Sequence, residues 1–127
     1  MIYGTGIDIV RIKRIEKTID RWNEKFLRRI FSEDEIIYCQ KKSNPAPHFA
    51  VRFAAKEAAA KMFGTGIGKI NWTDIRVVKN KAGKPYLNFE GEAQNLYNEK
   101  GIKSVHLSLS HEKEYAVAQV IAEGGQQ

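Results

Sequence analysis

Cysteine is almost missing from this chain. Cys39 stands alone in 127 residues, so no internal disulfide can form, and the fold must rest on a packed core that a chain of this length can bury. Long apolar runs are missing too. None approaches the ~20 residues needed to cross a bilayer, and residue 1 leads straight into a strand-like run without the basic start, apolar stretch and cleavage site of a signal peptide. One domain over residues 1–127, cytoplasmic and without a membrane partner, is the expectation. Negative charge is the third shortage: 15 acids face 21 bases, a formal net charge of +6. That balance favours an anionic partner, whether nucleic acid, nucleotide or acidic protein. Several motifs are lacking as well. There is no GxxxxGK[ST] loop, no kinase motif set and no nucleophile elbow. No RNA-binding fingerprint appears, and aromatics do not alternate with bases as a stacking platform requires.

What is present centres on residues 52–68, RFAAKEAAAKMFGTGIG. Counting in fours gives Phe49, Phe53, Glu57 and Lys61 along one helix face, so an aromatic row ends in a carboxylate and an ammonium. The alanines at 54, 55, 58, 59 and 60 favour helix and keep its flanks thin, so neighbouring backbone can approach. Gly64 is a natural stop, and the glycine-rich loop after it exposes amides suited to phosphate oxygens. Two readings of Glu57 and Lys61 are open: a surface pair worth about 0.2–0.5 kcal/mol, or part of a site.

Residues 2–10, IYGTGIDIV, read as a strand in which Ile7 and Ile9 share one face while Asp8 and Val10 share the other. Asp8 is out of place in such a run. It either caps the following helix or needs a cation, hydrogen-bond donors or solvent, since an ionised carboxylate among apolar residues must be compensated. Ile12, Ile15, Ile19 and Trp22 then recur at helical spacing, with bases on the remaining faces. From Arg11 to Arg29, eight Lys or Arg oppose three acids, which places +5 of the chain's +6 in one short segment. Such a run is usually a solvated face; this lopsided one suits docking of an acidic partner.

Ser32-Glu33-Asp34-Glu35 is a capping box opening a short helix through Cys39, and Pro45 or Pro47 opens the central helix. Two alternating segments, 74–78 and 86–89, are joined across a turn containing Gly83-Lys84-Pro85, a hairpin signal. A helix over 90–100, stopped by Gly101, precedes a strand in which Val105, Leu107 and Leu109 alternate with His106, Ser108 and Ser110. A strand over 116–121 closes the chain, and the tail from about residue 123 is expected to be disordered. Helices and hairpin-linked strands without a βαβ rhythm make this an α+β domain, a largely antiparallel sheet packed with a long central helix. The Ser-His run is not a hydrolase site, because neighbours on a strand point apart. His111 reads either as a ligand contact or as a hydrogen-bonded structural histidine.

Taken together, GIDIV at 6–10, the 52–68 stretch, GKP at 83–85 and SLSHEKEYAVAQVI at 108–121 resemble the holo-acyl-carrier-protein synthases, the short bacterial type of 4′-phosphopantetheinyl transferase. The likeness spans nearly the whole chain. It implies transfer of phosphopantetheine from coenzyme A to a serine of an acidic apo acyl carrier protein, with Mg2+ required, adenosine 3′,5′-bisphosphate released and fatty acid biosynthesis served. It implies a homotrimer with active sites between subunits, and no nucleic acid partner. Position by position, Asp8 and Glu57 match the metal ligands, and with Lys61, which matches a lysine on the coenzyme A phosphates, they form the catalytic set. Gly64, Thr65 and Gly66, with Lys84, Pro85, Ser110 and His111, match parts of the cofactor pocket. The concentrated positive charge, not the resemblance, makes Arg14, Lys17, Arg21 and Arg28, with Phe26 as an apolar anchor, the expected docking surface for an acidic carrier. One departure is the basic Arg11-Ile12-Lys13-Arg14, where the family often has an acid.

Overall fold

The central helix sets the architecture of the computed structural model, which describes residues 1–125. Strand β1 (Ile2–Arg11) is followed by helices α1 (Ile12–Trp22), α2 (Glu24–Ile30), α3 (Glu33–Gln40) and α4 (Pro45–Phe63). A single 3-10 turn at Trp72–Asp74 leads into strands β2 (Ile75–Lys79) and β3 (Pro85–Phe89), then helix α5 (Gly91–Glu99) and strands β4 (Ile102–His111) and β5 (Tyr115–Gly124). All pairing is antiparallel, in a three-stranded sheet of order β1-β5-β4 and a separate β2-β3 hairpin. This is the expected α+β class. Glu123 and Gly124, placed by the sequence reading in a loose tail, complete β5 because they pair with Ser104, Ile2 and Ile102; residues 126–127 lie outside the described residues.

Helix α4 begins with Pro45 in its first turn and ends at Gly64, whose φ of 83° is left-handed, the conformation that costs glycine nothing. Its alanines are fully buried, Ala54, Ala55, Ala58 and Ala59 showing no exposure. Two glycines of β1 exploit that thin flank. A Cβ on Gly6 would lie 1.8 Å from the carbonyl oxygen of Ala58, and one on Gly4 would lie 2.8 Å from that of Met62. Strand and helix therefore meet backbone to backbone.

The basic segment is two helices rather than one. Asn23, with φ 50°, breaks the run, and its backbone N–H closes α1 on Ile19 O. With ψ at −127° this is a positive-φ turn conformation outside the left-handed helical region, one that side chains rarely adopt. Ile12 and Ile15 are buried as the helical spacing requires, but Trp22 remains 51% exposed.

The capping box forms as read: Glu35 N donates to Ser32 Oγ, and Ser32 N donates to Glu35 Oε1. Glu35 has a second task. Its Oε2 accepts from Val77 N, and its Oε1 lies 2.9 Å from Nζ of Lys56, a fully buried lysine of α4. That ammonium also donates to the carbonyls of Trp72 and Ile75. Burial lowers the Lys56 pKa while Glu35 raises it. Burial is the larger influence, and the three acceptors match the three protons of an ammonium.

One sheet face packs on α4, where Val10, Ala116, Ala118 and Val120 are buried. The opposite face is bare. Ile7 and Ile9 are 59% and 63% exposed, so the strand turns its isoleucines outward and its Gly-Asp-Val face inward.

Candidate active site

Backbone contact between β1 and α4 carries Asp8 to the helix face that bears Glu57 and Lys61. Lys61 Nζ donates to Ile7 O at 3.0 Å and lies 3.2 Å from Asp8 Oδ1. Glu57, one turn earlier on the same row, is half-buried. Burial is the largest cause raising its pKa and the Asp8 carboxylate the second, opposed by Lys61 and by Arg14. The structure thus brings Asp8, Glu57 and Lys61 together. It excludes the capping reading of Asp8, since α1 has no side-chain cap. A carboxylate whose pKa is raised by a neighbouring carboxylate marks a place short of positive charge, and of the two acids Lys61 bonds Asp8. Among the described residues no group of three or more His, Cys, Asp or Glu could hold a metal. A pair of carboxylates fits magnesium nonetheless, because that ion keeps most positions for water and phosphate oxygens.

The loop after α4 differs from its expected role in one respect. The amides of Gly64 and Gly66 donate to Lys61 O and Ala60 O, so both close the helix rather than point free toward an anion. The Thr65 hydroxyl donates to Gly66 O. What the loop supplies is room: a Cβ on Gly64, Gly66 or Gly68 would meet nothing within 4 Å.

Ser110, His111 and Pro85 line a second cavity with Tyr38, His48, Arg52, Lys79 and Gly83. Lys84 is not among the lining residues. Its backbone closes the hairpin turn, N–H to Asn80 Oδ1 and carbonyl to Asn80 N–H, and Lys79 takes its place as the cavity's lysine. Arg52 is buried, with Nη1 donating to His48 O, its guanidinium 4.4 Å from the Tyr38 ring centroid and its Nε without a partner. Lys42 and Lys79 approach the same ring at 4.6 and 4.9 Å, and a hydrogen bond from Lys79 leads the causes lowering the Tyr38 pKa. His48 contacts the His111 ring at 5.7 Å; burial first, then Arg52, pushes its pKa down. No carboxylate lines the cavity. A buried cation with an unpaired donor among further cations suits an anion. At about 210 Å³, below the ~300–1,000 Å³ of pockets that enclose a whole small molecule, the cavity has room for a fragment the size of one phosphate.

The cavity and the acid pair stand apart. Asp8 pairs with Ala118, which pairs with Leu109, so β5 separates the two edges and the strands are about 10 Å apart. Arg52 and Glu57 project about 140° apart around α4. No residue lines both.

Arg14, Lys17 and Arg21 are exposed along α1 and line one groove with Trp22. Phe26 is half-buried beside it, in an apolar groove with Trp22, Phe53 and Trp72, the last two rings stacked at 4.9 Å. Arg28 is not brought there: Glu24 and Glu33 hold it at 2.9 and 2.7 Å, and Lys25 and Arg29 rim the groove instead. Sequence reading passed over Tyr38, His48, Arg52 and Lys79. Only Arg52 carried a signal, as a charge in the alanine-rich helix.

No helix among the described residues is long and apolar enough to cross a membrane. Residues 4–120 match the family model of the 4'-phosphopantetheinyl transferase superfamily. A holo-[acyl-carrier-protein] synthase of Halothermothrix orenii is 49% identical over 125 residues, covering 98% of this chain and all of its own. The crystal structure of the holo-[acyl-carrier-protein] synthase from Neisseria meningitidis superimposes with a TM-score of 0.89 at 38% identity, covering 97% of this chain and 99% of its own. A holo-(acyl-carrier-protein) synthase from Bacillus anthracis str. Ames in complex with CoA (3',5'-ADP) does so with a TM-score of 0.82 at 42% identity, covering 98% and 99%. The chain belongs to the 4'-phosphopantetheinyl transferase superfamily, in its holo-[acyl-carrier-protein] synthase branch.

Proposed function

We propose that this enzyme transfers 4′-phosphopantetheine from coenzyme A to a serine of an acidic apo acyl carrier protein in the cytoplasm, in support of fatty acid biosynthesis, and releases adenosine 3′,5′-bisphosphate. The observation that carries the reading is the half-buried carboxylate pair of Asp8 and Glu57 with Lys61 beside it. Asp8 and Glu57 would hold Mg2+, which supplies charge neutralisation at the pyrophosphate when bound. Lys61 donates to the same phosphate oxygens, where negative charge grows as the bond breaks. The carrier's serine oxygen forms the new P–O bond, the bond to the bisphosphate leaving group breaks, and the serine proton goes to a base. Glu57 or a water beside it takes that proton.

The Arg52 cavity reads a nucleotide phosphate, with Pro85, Ser110 and His111 around the rest of the adenosine. Its distance from Asp8 and Glu57 supports an enzyme whose site is completed by another copy of the chain. The bare isoleucine face supports the same assembly, a homotrimer in which the outward Ile7 and Ile9 are covered. Arg14, Lys17 and Arg21 form the carrier's docking stripe, with Phe26 as an apolar anchor. The experiment is to incubate the chain with coenzyme A, Mg2+ and an apo carrier, then weigh the carrier. A mass gain of one phosphopantetheine group, lost with a chelator, is expected. A carrier of unchanged mass refutes the reading.

A further inference from the structure

We propose that Lys61 is an internal competitor for the divalent cation and makes cation binding at Asp8 and Glu57 conditional on the arrival of the pyrophosphate. The inference rests on the magnesium reading above and adds to it an order of loading. Lys61 reaches more than the helix face it shares with Glu57. Its ammonium crosses to β1, where it bonds both the main-chain carbonyl of Ile7 at 3.0 Å and the carboxylate of Asp8 at 3.2 Å. The Ile7 carbonyl has no part in binding phosphate, and it anchors the ammonium beside Asp8, one carboxylate of the pair.

A divalent cation on Asp8 must therefore share that carboxylate with the Lys61 ammonium until something else draws it away. Repulsion between them weakens cation binding by about tenfold even in a water-like dielectric. The side chain is 52% exposed and sits on a flexible four-carbon stem, so it is free to move. A pyrophosphate offers it charged oxygens, and charge-assisted hydrogen bonds to these replace the bond to Asp8. The ammonium then neutralises the anion instead of opposing the metal, and cation and coenzyme each strengthen the other's binding by the same factor. Loaded this way, the enzyme takes its cation together with coenzyme A rather than holding it between turnovers.

The test measures Mn2+ binding by the loss of its free electron-paramagnetic signal, with and without coenzyme A and with no carrier present. Wild type, Lys61→Met and Lys61→Arg are compared. Without coenzyme A, Lys61→Met should bind Mn2+ about tenfold more tightly than wild type, while Lys61→Arg, which keeps the charge, stays near wild type. With coenzyme A the advantage of Lys61→Met should vanish. Equal or weaker Mn2+ binding by Lys61→Met in the absence of coenzyme A overturns the proposal, as does an advantage of the same size in its presence. Asp8→Asn in the Lys61→Met background should erase the gain; a gain that survives places the cation elsewhere and also overturns it. If no variant binds Mn2+ even with coenzyme A, the metal site itself is refuted, a result distinct from binding that ignores Lys61.

Discussion

Replacing Lys56 with methionine removes one charge from a fully buried pair and leaves the other. Methionine nearly matches the lysine stem in length, so packing is kept and the cost is electrostatic. Glu35 would retain its bonds from Ser32 N and Val77 N but lose the ammonium at 2.9 Å, and the carbonyls of Trp72 and Ile75 would lose a donor. Breaking a buried pair on one side costs about 3–5 kcal/mol, a large share of the ~5–15 kcal/mol that holds a domain together. With an unfolding entropy of about 2.1 cal/mol/K per residue, a chain of 127 residues loses about 4 °C of Tm per kcal/mol. Lys56→Met should therefore melt roughly 10–20 °C lower. Glu35→Gln added to it removes the stranded charge and should recover about 1–3 kcal/mol relative to additivity. Urea unfolding of the wild type, both single variants and the double closes the cycle. Strict additivity, or a loss under about 1 kcal/mol for Lys56→Met, would mean that the pair acts like a surface contact.

Asp8→Asn and Glu57→Gln should each reduce transfer to background with little change in melting temperature; near-normal turnover of either would remove both from the metal site. If sites form between copies, a 1:1 mixture of Asp8→Asn and Arg52→Met chains, each inactive alone, should recover about one quarter of wild-type activity after exchange, because each site needs one intact half from each neighbour; no recovery would locate the whole site in one chain. His48 begins with a lowered pKa, and a bound phosphate should raise it. Affinity for coenzyme A should then climb as pH falls through the bound-state pKa and level off below the free-state one, relative to His48→Gln at each pH; parallel profiles would exclude the imidazole. Arg14→Glu with Arg21→Glu should raise KM for the carrier far more than for coenzyme A, an effect shared by added salt; equal increases would move docking elsewhere.

Asp8, Glu57 and Lys61 were legible because each breaks a local rule: a carboxylate in an apolar strand and two charges ending an aromatic row. Gly64 and the Ser32–Glu35 box were legible because their logic is confined to a few residues. Lys56 was hidden by the same alanine-rich helix that made Glu57 conspicuous, since its partner lies 21 positions earlier and already had a capping task. The cation-lined cavity draws Tyr38 from α3, His48 and Arg52 from α4, Lys79 from the hairpin and His111 from β4, a convergence that no spacing encodes. Trp22 fits the helical seam by periodicity yet stays exposed, because Asn23 turns the chain before the seam is covered. Ile7 and Ile9 look like core by composition, and only the packing of Gly4 and Gly6 on α4 reveals that the strand faces the other way.

That packing makes the main chain the gauge of the site. The spacing of the β1 and α4 backbones beside Asp8 and Glu57 is set by a carbonyl of α4 lying where Gly6 has no side chain, so repacking of neighbouring side chains does not close it further. A protein that adjusts a site by repacking drifts continuously as its core mutates; here strand and helix already meet backbone to backbone. Its tolerance should be abrupt. Changes elsewhere in the core leave the gauge untouched, while a single methyl group at position 6 forces strand and helix apart.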